Sequence, residues 1–211
     1  MEYFFYCRDR QGSMPLRMEL NEDHWAFMDR YVDVMIARGP TLTADGEGVT
    51  GSMHIVDLPD AAAAREFAFD EPNHRAGVYS EVMIRRWRNV LGRTMWEFTG
   101  ARAGRPRFLV IAHGKPDATG ASDRQLAEQH RYLVDGYRHH LIAYGPLLSE
   151  DGTGWRGTAL LVELPDRGAA EALMAEEPCA RDGLYERVEI HDWRFGGRPV
   201  DEDDDPHSEG S

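Results

Sequence analysis

The chain has 211 residues, 42% of them hydrophobic, and a formal net charge of −13. Its arginines are scattered among carboxylates and not gathered in a stripe, so it has no basic face to release counterions and nucleic acid is not expected as a partner. No apolar run approaches the roughly 18 residues of a membrane-spanning helix, and the opening Met1-Glu2-Tyr3-Phe4-Phe5-Tyr6 lacks the basic flank of a secretory leader. The expected location is therefore the cytoplasm. Cys7 and Cys179 have no nearby thiol partner, which argues against a disulfide or a thiolate metal site. Lys115 is the sole lysine among 24 basic residues, a usage that points to a GC-rich bacterial coding sequence and leaves little room for Schiff-base chemistry.

In chain order, Tyr3-Phe4-Phe5-Tyr6-Cys7 is a continuous apolar run of the kind a buried strand shows. From about Asn21 to Arg38, Phe27, Met28, Tyr31, Val34 and Met35 recur at helical spacing, and Gly39-Pro40 reads as the stop signal. Thr41-Leu42-Thr43, a turn at Asp45-Gly46-Glu47-Gly48 and Ser52 to Leu58 then form a hairpin. Pro59-Asp60 opens a second helix that Pro72 ends, and Gly77 turns the chain into a last strand, Val78 to Trp87.

The same order is then written again. At a constant offset of 106 His24 falls on His130, Gly39-Pro40 on Gly145-Pro146, Leu58-Pro59-Asp60 on Leu164-Pro165-Asp166, Glu71-Pro72 on Glu177-Pro178, and Trp87-Arg88 on Trp193-Arg194, without a gap. Phe108 to Ala112 answers the first strand. A period near 100 is a whole small domain, not the repeat of a solenoid. The expected fold is α+β: two tandem ferredoxin-like βαββαβ units, residues 1–92 and 107–199, joined by a linker over 93–106 and followed by an acidic, solvated tail over 200–211. Each unit leaves one sheet face bare, and the nearest cover is the same face of the other unit. The two sheets should therefore close into an intramolecular pseudo-dimeric α+β barrel, present as a monomer or as a homodimer of barrels.

A first-helix His, Gly-Pro beyond it, Gly51-Ser52 in the hairpin, and Glu71-Pro72 through Gly77-Val78-Tyr79 recur as His130, Gly145-Pro146, Gly157-Thr158 and Glu177-Pro178 through Gly183-Leu184-Tyr185. This pattern resembles the YciI-like (YCII-related) domain family, twice over. The resemblance implies a dimeric α+β barrel with a pocket centred on the His and on the carboxylate before Pro. Barrels of this kind include muconolactone isomerases, a dehydrochlorinase acting on a chlorinated hydroxyquinol and cofactor-free monooxygenases. The family usually has Asp before that Pro; Glu71 and Glu177 carry the acid about 1.5 Å further.

Topology leads to the same residues. In a sheet of order 4-1-3-2 the first helix begins, the second helix ends, the hairpin turns and the last strand begins at one end, bringing His24, Asp70 or Glu71, Asp45 and Tyr79 to a shared rim. A carboxylate fixes the tautomer of a neighbouring His, and an imidazole near neutral pH can take and return a proton. His24, Glu71, His130 and Glu177 are thus the candidate catalytic residues, with Asp70, Gly77, Tyr79, Glu176, Gly183 and Tyr185 as candidate substrate contacts. For Gly77 and Gly183 a positive-φ turn is the leading expectation. His24, Glu71 and His74 would suit a metal, but repeat two has Ala180 in place of His74, and neither a metal nor an organic cofactor is expected. The expected function is a lyase, isomerase or dehydrochlorinase-like activity on a small organic acid or ring-derived substrate. The alternative is a non-catalytic small-ligand-binding or regulatory accessory module.

Overall fold

Tyr3 to Cys7 are buried on both faces of the strand Glu2–Asp9, β1, as befits a strand with a packed layer on each side. In this computed structural model residues 1–100, 104–116 and 120–198 are described; the acidic segment expected over 200–211 lies outside them. After β1 come α1 (Met14–Glu19), α2 (Asn21–Asp29), β2 (Met35–Leu42), β3 (Val49–Asp57), α3 (Ala61–Phe69), α4 (Pro72–Arg75) and β4 (Tyr79–Trp87). The second repeat follows with β5 (Arg107–Gly114), α5 (Asp123–Tyr137), β6 (Leu141–Leu148), β7 (Trp155–Glu163), α6 (Arg167–Glu176), α7 (Pro178–Arg181) and β8 (Tyr185–Trp193). No helix among the described residues is long and apolar enough to cross a membrane.

The strands close into one barrel in the order β1-β3-β2-β8-β5-β7-β6-β4, so each repeat contributes a 4-1-3-2 sheet and the two zip at both edges. Inside lies a joint core that includes Phe4, Met53, Trp87, Leu109, Ile142, Leu161 and Trp193. The helices cover the outside: Phe27, Met28 and Phe67 pack on Phe5 and Val56 in repeat one, and Leu133, Leu173 and Met174 on Val110 and Val162 in repeat two. Met95 and Phe98 from the connecting segment also join the interior core.

Two expectations are corrected here. The first helix does not run to Arg38: α2 ends at Asp29, and Gly39-Pro40 lies inside β2. The motif serves the seam. The β2–β8 and β4–β6 edges are held by two residue pairs each, Thr41↔Trp193 with Leu42↔Asp192 and Arg86↔Leu148 with Trp87↔Leu147. There the chains come so close that a Cβ on Gly39 would sit 2.0 Å from the Arg194 carbonyl, and one on Gly145 1.9 Å from the Arg88 carbonyl. Only glycine fits.

The gapless offset also fails in part. It is 106 from β2 onward but 105 before it: Glu2 pairs with Asp57 where Arg107 pairs with Glu163, and the buried helix residues Met28 and Leu133 are likewise 105 apart. Repeat two therefore carries one extra residue between its first helix and β6, and the structural counterpart of His24 is Gln129.

Inside the barrel, charge crosses between the repeats at one mouth. Glu189 of β8 receives Arg8 of β1, His113 Nε2 at 2.7 Å and His191 Nε2 at 3.1 Å, and Tyr6 lies 3.5 Å from His191 Nδ1.

Candidate functional site

The α3–α4 junction sets the site. Pro72 does not simply end a helix; it occupies the first turn of α4, and Glu71 is the N-cap whose Oε2 accepts the His74 N–H at 3.0 Å. Its other oxygen, Oε1, lies 2.5 Å from His24 Nδ1 on α2. Burial raises the Glu71 carboxyl, but the hydrogen bond and charge of His24 and the backbone N–H groups of Asn73 and His74 outweigh it and leave it below the usual carboxylate range. With Nδ1 held by a carboxylate, Nε2 is the nitrogen free for chemistry.

Around this pair is a buried polar cluster drawn from five elements. Arg17 of α1 donates to Asp9 of β1 at 2.8 Å and to Ser52 of β3; Asn73 of α4 donates to the Tyr79 hydroxyl of β4 at 3.3 Å. Burial pushes the Asp9 carboxyl up to about 6 against the pull of Arg17, with Glu71 adding to the rise. His54 of β3 is held well below the usual imidazole range by burial and by the charges of His24, Arg38 and Arg17, and burial holds Tyr79 well above the usual phenol range. A cavity of about 380 Å³ opens onto His24, with Arg17, Arg38, Ser52, His54 and Trp25 also in its wall. Glu71 and Tyr79 do not line it.

His24 and Glu71 are thus brought together. His130 and Glu177 are not. His130 is exposed, while Gln129 reaches inward with Nε2 2.5 Å from Glu177 Oε1 and 2.8 Å from the Tyr185 hydroxyl, the consequence of the one-residue register change. His130 instead borders a separate cavity of about 350 Å³ with Tyr144 and Arg88.

Asp70 is spent on a surface ion pair with Arg75 at 2.7 Å, Asp45 caps its own hairpin turn through Thr43 and the Glu47 N–H, and Glu176 is exposed. Gly77 and Gly183 hold φ of +80° and +68°, the turn conformation that admits little but glycine. His74 bonds the Phe69 carbonyl through Nδ1, and no group of three or more His, Cys, Asp or Glu among the described residues is placed to hold a metal. Asp9, Arg17, Arg38 and His54 were not legible as site residues. They come from separate elements, and no short motif joins them.

Residues 1–88 and 107–194 each match the model of the YCII-related domain. The chain belongs to that family. An uncharacterized protein of Haemophilus influenzae is 27% identical over 97 residues, 43% of this chain and 99% of its own length. A 5-chloro-2-hydroxyhydroquinone dehydrochlorinase from Burkholderia phenoliruptrix is 26% identical, covering 44% of this chain and 99% of that one, with a TM-score of 0.42. The chlorite dismutase of Candidatus Nitrospira defluvii covers 92% of this chain and 91% of its own at 9% identity and a TM-score of 0.57, a likeness of fold alone. Each YCII-related repeat therefore forms half of a barrel that other proteins also build.

Proposed function

We propose that repeat one is an acid–base site acting on a small ring-derived or dicarbonyl-like organic acid, with His24 as the base and Glu71 as its positioning residue. One observation carries this reading: the 2.5 Å contact between His24 Nδ1 and a buried Glu71 carboxylate, at the wall of a cavity of about 380 Å³. The volume suits a single-ring ligand. Glu71 favours the Nδ1–H tautomer, so the Nε2 lone pair takes a proton from a carbon beside a carbonyl, and the electron pair moves onto the carbonyl oxygen. In an isomerisation the imidazolium returns that proton to another carbon. In an elimination the pair forms the new C=C bond as the halide or other leaving group departs. A base of this kind contributes about 10²–10⁴ in rate, enough for an already acidic C–H.

Repeat two supports a different role. Gln129 stands where His24 stands in repeat one, and an amide does not titrate, so that half reads as a ligand-binding or structural partner.

The test is deuterium uptake from D₂O into a panel of small unsaturated and aromatic keto acids, followed by NMR. His24→Ala should abolish uptake, Glu71→Gln should slow it and shift its pH profile, and Gln129→Ala should leave it unchanged. Uptake undiminished in a folded His24→Ala variant would refute the reading.

A further inference from the structure

The wall of the His24 cavity holds a guanidinium that the described residues satisfy only in part. Arg38 lies on β2 directly opposite His54 on β3, and both line the cavity with His24. Its side chain is 12% exposed, yet its Nε is buried without a hydrogen-bond partner among the described residues. The nearest carboxylate, Asp29, stands 3.7 Å from Nη1 and is itself engaged by Arg198 Nε at 2.9 Å. The other carboxylates nearby are committed elsewhere: Asp9 to Arg17 and Glu71 to His24, while Glu47 stands at the exposed edge of the cavity. A buried charge with an unmet donor and a long ion pair is costly, and the cost is relieved when an oxygen anion arrives.

We infer that Arg38 is the anion seat of this cavity, receiving a carboxylate or phenolate oxygen of the ligand while His24 faces the part to be deprotonated. The inference rests on the reading of the cavity as a ligand site and adds to it the residue that selects charge. A planar guanidinium fork matches a carboxylate through two parallel hydrogen bonds. The repeat-two cavity has no buried guanidinium of this kind, since Arg88 on its wall is exposed. Tyr144 stands there in place of Arg38 and its hydroxyl already donates to Gln129 Oε1 at 3.3 Å, so the chain should bind one anion and not two.

The experiment uses benzoate and its neutral isostere benzamide, titrated into the full chain by calorimetry, with the histidine ring signals followed by NMR. Expected are one benzoate per chain, binding that shifts the His24 and His54 signals, and a preference for benzoate over benzamide. Arg38→Gln should weaken benzoate by about tenfold or more and leave benzamide unchanged. Should Arg38→Gln fail to fold, Arg38→Lys, which keeps the charge and loses the fork, should fold and still bind benzoate more weakly than wild type. Benzoate affinity unaltered by either variant, equal affinity for benzamide, two benzoates per chain, or no saturable benzoate binding at millimolar concentration would each overturn the proposal. His24→Ala separates the two readings. Retained benzoate binding with lost deuterium uptake upholds both, whereas retained uptake sinks the proton-transfer reading and leaves the anion seat standing.

Discussion

Replacing Gly145 by alanine places a methyl carbon where another strand already runs. The new Cβ would lie 1.9 Å from the Arg88 carbonyl oxygen and 2.7 Å from Trp87 Cε2. Carbon–oxygen contacts in strands settle near 3.3–3.6 Å, so the two backbones must part by about 1.4 Å. Neither neighbour can simply rotate away: the oxygen is main chain, and Trp87 is 2% exposed in the shared interior. Since β4 and β6 are joined by only two residue pairs, that separation opens one seam of the barrel. Overpacking of this kind costs about 1–3 kcal/mol, and loss of the seam puts Gly145→Ala at the upper end. In a chain of this size, 1 kcal/mol moves Tm by about 2–4 °C, so a drop of about 6–12 °C is expected. Gly39→Ala, whose Cβ would lie 2.0 Å from the Arg194 carbonyl, should behave alike. The control is Gly136→Ala in α5, where nothing lies within 4 Å of the new methyl; helix propensity alone should stabilise it by about 0.5–1 kcal/mol. Thermal melts and denaturant midpoints of the three variants decide. A Gly145→Ala protein melting with the wild type would refute the view that these glycines let the repeats meet.

Asp9→Asn should change how stability depends on acid. The folded carboxyl is raised to about 6, so the folded state holds a proton that the unfolded chain has released between about pH 4 and 6; wild type should gain up to about 3 kcal/mol relative to the variant as pH falls through that window, read from denaturant midpoints. Glu189 behaves in the opposite sense. Burial raises it, but His113, His191 and Arg8 together hold it far below the usual carboxylate range, so the stability it contributes is present above pH about 4.3 and fades in more acidic solution. Glu189→Gln should thus cost about 2–3 kcal/mol near neutrality, with the gap to wild type closing in acid; a gap that stays constant down to the lowest pH tested would count against the assignment. His130→Ala, at an exposed position, should leave stability within about 0.5 kcal/mol of wild type and leave activity on the keto-acid panel intact.

Duplication, strand order and closure of the barrel were legible because hydrophobic period and turn residues agree locally with the fold they build. Gly39-Pro40 misled because Gly and Pro next to each other are helix punctuation by local propensity, whereas here they answer a long-range demand, the carbonyl of a strand more than 150 residues away. His24 and Glu71 were legible from topology, since helix start and helix end share one rim. His130 was not assignable, since an alignment by residue identity hides a single added residue between helix and strand, and one residue on a helix is about 100° of face. The Arg17–Asp9 pair and Arg38 carry no pattern in the chain. Their significance is burial, which appears only once three layers are assembled.

In a two-fold homodimer every substitution is made twice, so a contact between residue i and residue j returns as j with i. The covalent tandem lifts that rule, and the barrel mouth records it. Arg8 meets Glu189, but the mirrored contact would pair their counterparts His113 and Met83, which carry no such charge complementarity. The Arg8–Glu189 contact therefore joins the repeats at one mouth without a mirrored copy at the other, although each partner also has opposite charges in its own repeat. Severed at the connecting segment, two first repeats would set Arg8 against Met83, and two second repeats would lack Arg8 altogether.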